Sequence, residues 1–137
     1  MRKPNLFTSK HFVASLFVAA AFFFVSGASP QQPAPKILTW GDQSSGDCEM
    51  TFGRLTFRPD GTGLWETNTL THHTHSGDVW HVDINVTSAG GSQLFHLGQW
   101  NSPRMSDGGP QYAWSVPFSF DSSVWNDIYT ATMNSSC

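Results

Sequence analysis

Basic residues are scarce in this sequence. Its 137 residues include seven lysines and arginines, and three of these seven lie within the first 28 residues. The remaining four stand against ten acidic residues, so residues 29–137 carry a net charge of −6 with histidine neutral. A nucleic-acid-binding surface needs a basic stripe that neutralises phosphates. The sequence therefore excludes nucleic acid as a partner.

Glutamate is scarce too, and the motifs of common hydrolases are missing. Glu49 and Glu66 are the only glutamates, whereas a retaining glycosidase needs two carboxyl groups that face each other at about 5 Å. The sequence contains no Gly-x-Ser-x-Gly elbow, no phosphate loop and no EF-hand pattern. It therefore points to no catalytic residue and favours a binding function over hydrolysis.

Long apolar runs are limited to one. Residues 12–25 are uncharged, follow a basic start and precede Ser26-Gly27-Ala28. This run is shorter than the about 20 residues that span a bilayer, and the small residues after it are typical of a signal peptidase site. We predict a signal peptide over residues 1–28, with an uncleaved anchor as the alternative. After cleavage the protein would be secreted, extracellular and free of the membrane.

The remaining chain divides into a short lead-in and one domain. Residues 29–36 are rich in proline and glutamine, which predicts a flexible segment. Residues 37–137 are long enough for a single domain with its own core. We expect this domain to be a monomer.

Cysteine occurs only twice, at Cys48 and Cys137. In an exported chain an even pair of cysteines predicts a disulfide. A long loop closed in this way contributes about 4 kcal/mol as an upper figure. A thiol nucleophile or a thiolate metal ligand is the alternative, but a nucleophile needs a nearby base and a lowered pKa.

What the sequence does have is alternation. Apolar and polar residues alternate most clearly along residues 80–87, and Pro59-Asp60-Gly61 is a strong turn signal. We predict three consecutive antiparallel strands over residues 53–86, with a second turn at residues 75–78. The whole chain reads as seven or eight short strands, which predicts an all-β antiparallel sandwich or small barrel. The expected core residues are Leu55, Phe57, Trp80, Val82, Ile84, Val86 and Trp114.

Two further residues have a positional meaning. Pro117 interrupts the alternation of residues 111–120, which favours an edge strand because proline lacks the amide proton of a ladder. Gly53 lies inside a predicted strand, which indicates a bulge or a close backbone approach.

Several short motifs resemble a known family. They are Trp40-Gly41-Asp42, Gly46-Asp47-Cys48, the Pro-Asp-Gly-Thr turn from residue 59 and Gln111-Tyr112-Ala113-Trp114. With these, residues 38–137 resemble small secreted bacterial proteins, mostly actinobacterial, that are defined only as a domain of unknown function. The Phe-x-Pro-Asp-Gly turn is also similar to lipocalin-like barrels, although the order Trp40-Gly41 replaces their Gly-x-Trp start.

Histidines are concentrated in one stretch. His73 and His75 are separated by one residue, about 7 Å apart in an extended strand. His81 follows soon after, and Asp78 or Asp83 would complete a set of ligands for zinc or copper. The alternative is a polar hairpin whose histidines are only solvated.

The six tryptophans offer a different site. Most are expected in the core, but Trp65 and Trp100 are candidates for exposed rings. With Asn101 beside Trp100, such a platform would suit a glycan or a protein surface. The sequence therefore predicts a non-catalytic binding module without a cofactor, and a metal site at the histidines is the alternative.

Overall fold

The structure is a computed structural model that describes residues 31–75 and 77–137. The predicted signal peptide lies outside these residues. Residues Gln32–Cys137 form one compact unit. The elements are β1 (Lys36–Trp40), β2 (Gln43–Ser45), β3 (Cys48–Phe57), β4 (Thr62–Thr71), β5 (His81–Thr87), β6 (Gln93–Asn101), β7 (Tyr112–Ser119), the 3₁₀ helix η1 (Ser122–Asp127) and β8 (Thr130–Ser136).

The strands form two antiparallel sheets. The larger sheet has the order β1-β3-β4-β7, with β2 also paired to β3, and the smaller sheet has the order β6-β5-β8. The prediction of an all-β fold with seven or eight strands is confirmed. Among the described strands no pairing joins the two sheets into a barrel, so the fold is a sandwich. No helix in the described part of the chain is long and apolar enough to cross a membrane.

The first predicted turn is confirmed between β3 and β4. Arg58 and Thr62 are joined by a backbone hydrogen bond of 2.8 Å, and Gly61 adopts a φ of 84°. Asp60 Oδ1 accepts hydrogen bonds from the hydroxyl of Thr62 at 2.7 Å and from its amide at 2.9 Å. These bonds hold the pKa of Asp60 below its ordinary value of 3.8, and the bond from the Thr62 hydroxyl has the largest effect.

The predicted pairing of the third strand of the meander with the second is wrong. β4 pairs with β7, whereas β5 lies at the centre of the other sheet, between β6 and β8. Residues 72–80 carry the chain across, with His73 in a left-handed conformation at φ 58°. Alternation shows which face of a strand is buried, but it does not show which neighbour completes the ladder. Both strands have an apolar face, and each packs that face into the core from a different sheet.

The core lies between the two sheets and follows the predicted alternation. Six of the seven expected core residues are at most 1% exposed, and these are Leu55, Phe57, Trp80, Val82, Ile84 and Val86. Trp114 is only partly buried. It belongs to β7, which is an edge strand, as Pro117 in the same strand predicted. The Nε1 of Trp114 donates to Thr69 Oγ1 at 3.1 Å.

The close backbone approach expected at Gly53 is also confirmed. A Cβ atom at this position would lie 2.9 Å from Cη2 of the buried Trp65 and 3.1 Å from Cε of Met50. The ladder between β3 and β4 shifts register between Met50 and Phe52, which is a β-bulge directly before the glycine. The backbone of β3 is thus shaped around the Trp65 ring.

The two cysteines are bonded to each other. Cys48 begins β3 in the larger sheet, and Cys137 follows β8 in the smaller sheet, with a Cα–Cα distance of 5.9 Å. Their sequence separation is 89 residues. The bond therefore joins the two layers of the sandwich and closes a loop that includes most of the domain's sequence.

Loss of this bond should lower the stability of the fold. We expect Cys137→Ser to reduce the free energy of unfolding by about 2–5 kcal/mol, because the unfolded chain gains the entropy of an open loop. Urea denaturation of both proteins measures the difference. Two titratable thiols in the native wild-type protein would contradict the assignment.

The turn at Asp60 should make a small contribution to stability that depends on pH. A carboxylate whose pKa is lowered by folding stabilises the fold above its unfolded pKa, and this contribution is lost as the pH falls through the lower folded pKa. Asp60→Asn should therefore flatten the decline in melting temperature below about pH 4. Thr62→Val removes the hydroxyl donor and should reproduce part of this change. Identical acid profiles for wild type and both variants would refute it.

Candidate functional site

The residues of the predicted metal site are not brought together. His73 and His75 are exposed in the segment after β4, whereas His81 begins β5 in the other sheet. His81 Nδ1 already lies 2.6 Å from Asn101 Oδ1. Among the described residues, no histidine belongs to a group of three potential ligand atoms within 4.8 Å of one another. The residues expected to bind zinc or copper lie apart because the chain crosses between layers where a tight hairpin was expected.

The predicted aromatic platform is not present either. Trp65 has no exposed surface, and it packs against Trp100 with ring centroids 6.4 Å apart. Trp100 is half-buried and faces the interior, while Asn101 is exposed on the opposite side of β6. The Trp65 ring, expected to be exposed, is therefore in the core, and the Trp100 ring packs against that core. Opposite Leu55 in the ladder, Trp65 lies on the inward face of β4.

The bulge in β3 brings a different aromatic residue to the surface. Met50 faces inward opposite Thr69, and strict alternation would place Phe52 inward as well. Instead the register shift sets Phe52 opposite Asn68, on the outer face of the larger sheet. Bulges frequently re-aim a side chain next to a binding site. Here an apolar ring is turned outward from a position that would otherwise belong to the core.

Phe52 lines a groove on this outer face. The groove has a volume of about 290 Å³ and runs across β3, β4 and β7. We call it the aromatic groove, defined by Phe52, Glu66, Asn68, Ala113 and Ser115. Cross-strand pairing positions these side chains, since Asn68 lies opposite Ala113 and Glu66 opposite Ser115. The small side chains on β7 leave the space that makes the surface concave.

The polar groups of the aromatic groove are suited to binding. Glu66 Oε2 lies 3.4 Å from Arg54 Nε, and both side chains remain partly exposed. Glu66 is the only carboxylate among the residues that line the groove. The other glutamate, Glu49, pairs with Leu70 farther along β3 and lies 3.6 Å from His72 Nε2. The two carboxyl groups therefore do not form the facing pair that glycoside hydrolysis requires.

A second groove lies on the outer face of the smaller sheet. It has a volume of about 310 Å³, and all but one of the residues that line it are polar. We call it the polar groove, lined by His81, Asp83, Gln99, Asn134 and Ser136. A register shift in the ladder of β5 and β6 places Gly98 and Gln99 together opposite Asp83, so a bulge shapes this groove as well.

A histidine lies beside the polar groove and is held in one orientation by Asp83. His96 Nε2 lies 2.7 Å from Asp83 Oδ1. A carboxylate oxygen accepts hydrogen bonds, so His96 donates to Asp83 through Nε2. A histidine held in this way can serve as a base when a nucleophile adjoins it. Among the described residues, no hydrogen bond joins a serine hydroxyl to His96.

The comparisons with known proteins give a family but no activity. A family model described as a family of unknown function (DUF6294) matches residues 54–137. The match includes Glu66, Asn68 and Ser115, whereas Phe52 and Cys48 precede it. No curated protein matches the chain, and no solved structure matches it either.

Proposed function

We propose that this chain, which belongs to a family of unknown function (DUF6294), is a secreted, non-catalytic binding module that holds a glycan in the aromatic groove. The observation that carries the proposal is the bulge in β3, which turns Phe52 outward among hydrogen-bonding side chains. Secretion is supported by the leader-like pattern of residues 1–28 and is compatible with the disulfide.

A sugar ring requires two kinds of contact at once. Its C–H face packs on an aromatic ring, while its hydroxyl groups need donors and acceptors placed around that ring. Phe52 supplies the apolar surface, and Glu66, Asn68 and Ser115 supply a carboxylate, an amide and a hydroxyl group. A volume of about 290 Å³ is near the lower end of small-molecule sites, which suits one ring of a longer chain.

The charge of the protein narrows the class of glycan. Residues 29–137 carry a net charge of −6 with histidine neutral, since four basic residues stand against ten acidic ones. Glu66 adds a negative group to the groove itself, and Arg54 balances it at 3.4 Å. A polyanionic glycan would be repelled by this field, whereas a neutral glycan would not. We therefore infer that the ligand is a neutral glycan.

A protein ligand is the second candidate, and one observation favours it. A row with three apolar residues crosses the same outer face beside the groove. In it Ile37, Thr56, Leu64 and Pro117 follow one another in register. Ile37 is 51% exposed. A partner protein would cover this row, whereas a sugar confined to the groove would leave it exposed.

The test begins with the oxidised protein comprising residues 29–137 on an array of neutral and acidic glycans. For a neutral glycan that binds, we expect Phe52→Ala to weaken the affinity at least tenfold, or about 1.4 kcal/mol. Glu66→Gln should weaken it too, because the amide replaces one acceptor oxygen with a donor. Titration calorimetry measures both effects, and circular dichroism confirms that each variant is folded.

Tyr129→Ala is the matched control for the ring. Tyr129 is 67% exposed and lies outside the groove, before β8. Its loss should leave glycan affinity unchanged. The proposal fails if the array retains no neutral glycan, or if Phe52→Ala and Tyr129→Ala affect binding equally. Binding of a protein that Ile37→Asp abolishes would support the second candidate instead.

A further inference from the structure

One cluster of potential metal ligands lies at the disulfide. Sγ of Cys48, Sγ of Cys137 and a carboxylate oxygen of Asp78 all lie within 4.8 Å of one another. The three residues come from the start of β3, the end of β8 and the crossing segment between β4 and β5. Asp78, a member of the predicted metal set, thus lies beside two other potential ligands, although these are cysteines and not histidines.

Asp78 is held firmly in this position. Its backbone exchanges two hydrogen bonds with Met105, of 3.1 Å and 2.8 Å. Its carboxylate Oδ2 accepts a hydrogen bond of 2.7 Å from the hydroxyl of Thr71, which is only 1% exposed. A disulfide has no proton to donate to this carboxylate. The structure therefore orients a carboxylate toward two sulfur atoms that give it no hydrogen bond in the oxidised state.

We propose that reduction of the disulfide converts this cluster into a zinc site. A dithiol reductant supplies two electrons and two protons, so that the bond between Cys48 and Cys137 breaks and the reductant becomes a disulfide. Zinc then displaces the two thiol protons into solvent and binds both thiolates and the Asp78 carboxylate. A water molecule fills the fourth position, as zinc favours tetrahedral coordination by sulfur, nitrogen and oxygen ligands.

The geometry requires little movement. Two thiolates on one tetrahedral zinc ion, each at about 2.3 Å, lie about 3.7 Å apart. The Cα–Cα distance of 5.9 Å leaves room for this separation through side-chain rotation. Cys137 lies after β8 and is exposed, so its side chain can turn without breaking the ladder, and the ion can enter from the same side. The bond from Thr71 orients the carboxylate, as partners behind metal ligands generally do.

The consequence is a second way to hold the same three segments together. The disulfide joins the two sheets covalently, and zinc would join them through coordination once the bond is reduced. Metal binding to the folded state alone stabilises it by mass action. This inference is independent of the proposed glycan site, which lies on the outer face of the larger sheet.

Zinc titration of the reduced protein tests the proposal. The protein is reduced with a phosphine, which brings no competing thiol and becomes a phosphine oxide as water supplies the oxygen and two protons. After anaerobic desalting, zinc is titrated in competition with a chromophoric chelator. We expect one zinc ion per chain in the reduced protein and none in the oxidised protein. Cobalt in place of zinc should show thiolate charge-transfer absorption.

Variants separate the three-ligand site from thiol binding alone. Asp78→Asn should weaken zinc binding at least tenfold, whereas Asp127→Asn, an exposed residue of η1, should not change it. Cys48→Ser/Cys137→Ser should abolish it. Equal affinities of Asp78→Asn and wild type, or no bound zinc in the reduced protein, would overturn the proposal.

A second measurement tests the proposal even if the protein unfolds when it is reduced without zinc. The wild-type protein is reduced with zinc already present, and its β-sheet circular dichroism signal is followed with time. Zinc should preserve the signal relative to magnesium at the same concentration. If the signal is lost equally with both ions, the cluster does not bind zinc as a folded site and the proposal is wrong.

Discussion

The close packing of Trp65 on the backbone of β3 determines much of this molecule. The ring has no exposed surface and reaches to within 2.9 Å of where a Cβ atom of residue 53 would lie, so only glycine fits there. The bulge directly before Gly53 sets the register of the ladder and turns Phe52 outward. Burial of a large aromatic ring is worth a few kcal/mol, so the core stabilises the outward position of Phe52. The proposed binding surface is thus a consequence of how the interior is packed.

The two ends of the sandwich interior differ in character. Near the β3–β4 turn, the ring of Phe57 packs edge-on against Phe95, Phe118 and Phe120 at 5.5–6.1 Å. Toward the disulfide, β4 instead turns threonines inward, and Thr69 and Thr71 are buried with their hydroxyl groups hydrogen-bonded. Edge-to-face packing of aromatic rings stabilises one end. Directional polar contacts and a covalent bond hold the other, where the crossing segment enters.

Much of the fold is predictable from local patterns. The alternation of residues 80–87 identifies the buried face of β5, proline marks β7 as an edge strand, and a pair of cysteines in a short chain indicates their bond. What local patterns do not specify is long-range pairing. β4 and β5 are consecutive and both have an apolar face, yet each also pairs with a strand far along the chain, β4 with β7 and β5 with β8. The candidate site was not predicted because a bulge reverses the face on which Phe52 lies. Gly53 was the sequence signal that indicated this bulge.

The ionisable groups of the described residues are divided between the two outer faces of the sandwich. Glu66 lies on the outer face of the larger sheet, while Asp83 and His96 lie on the outer face of the smaller one. Packed sheets are about 10 Å apart, and the core fills that space, so no single substrate contacts both faces. An acid and a base that act on one bond must approach the same atoms. Glu66 therefore does not act on one bond together with Asp83 or His96.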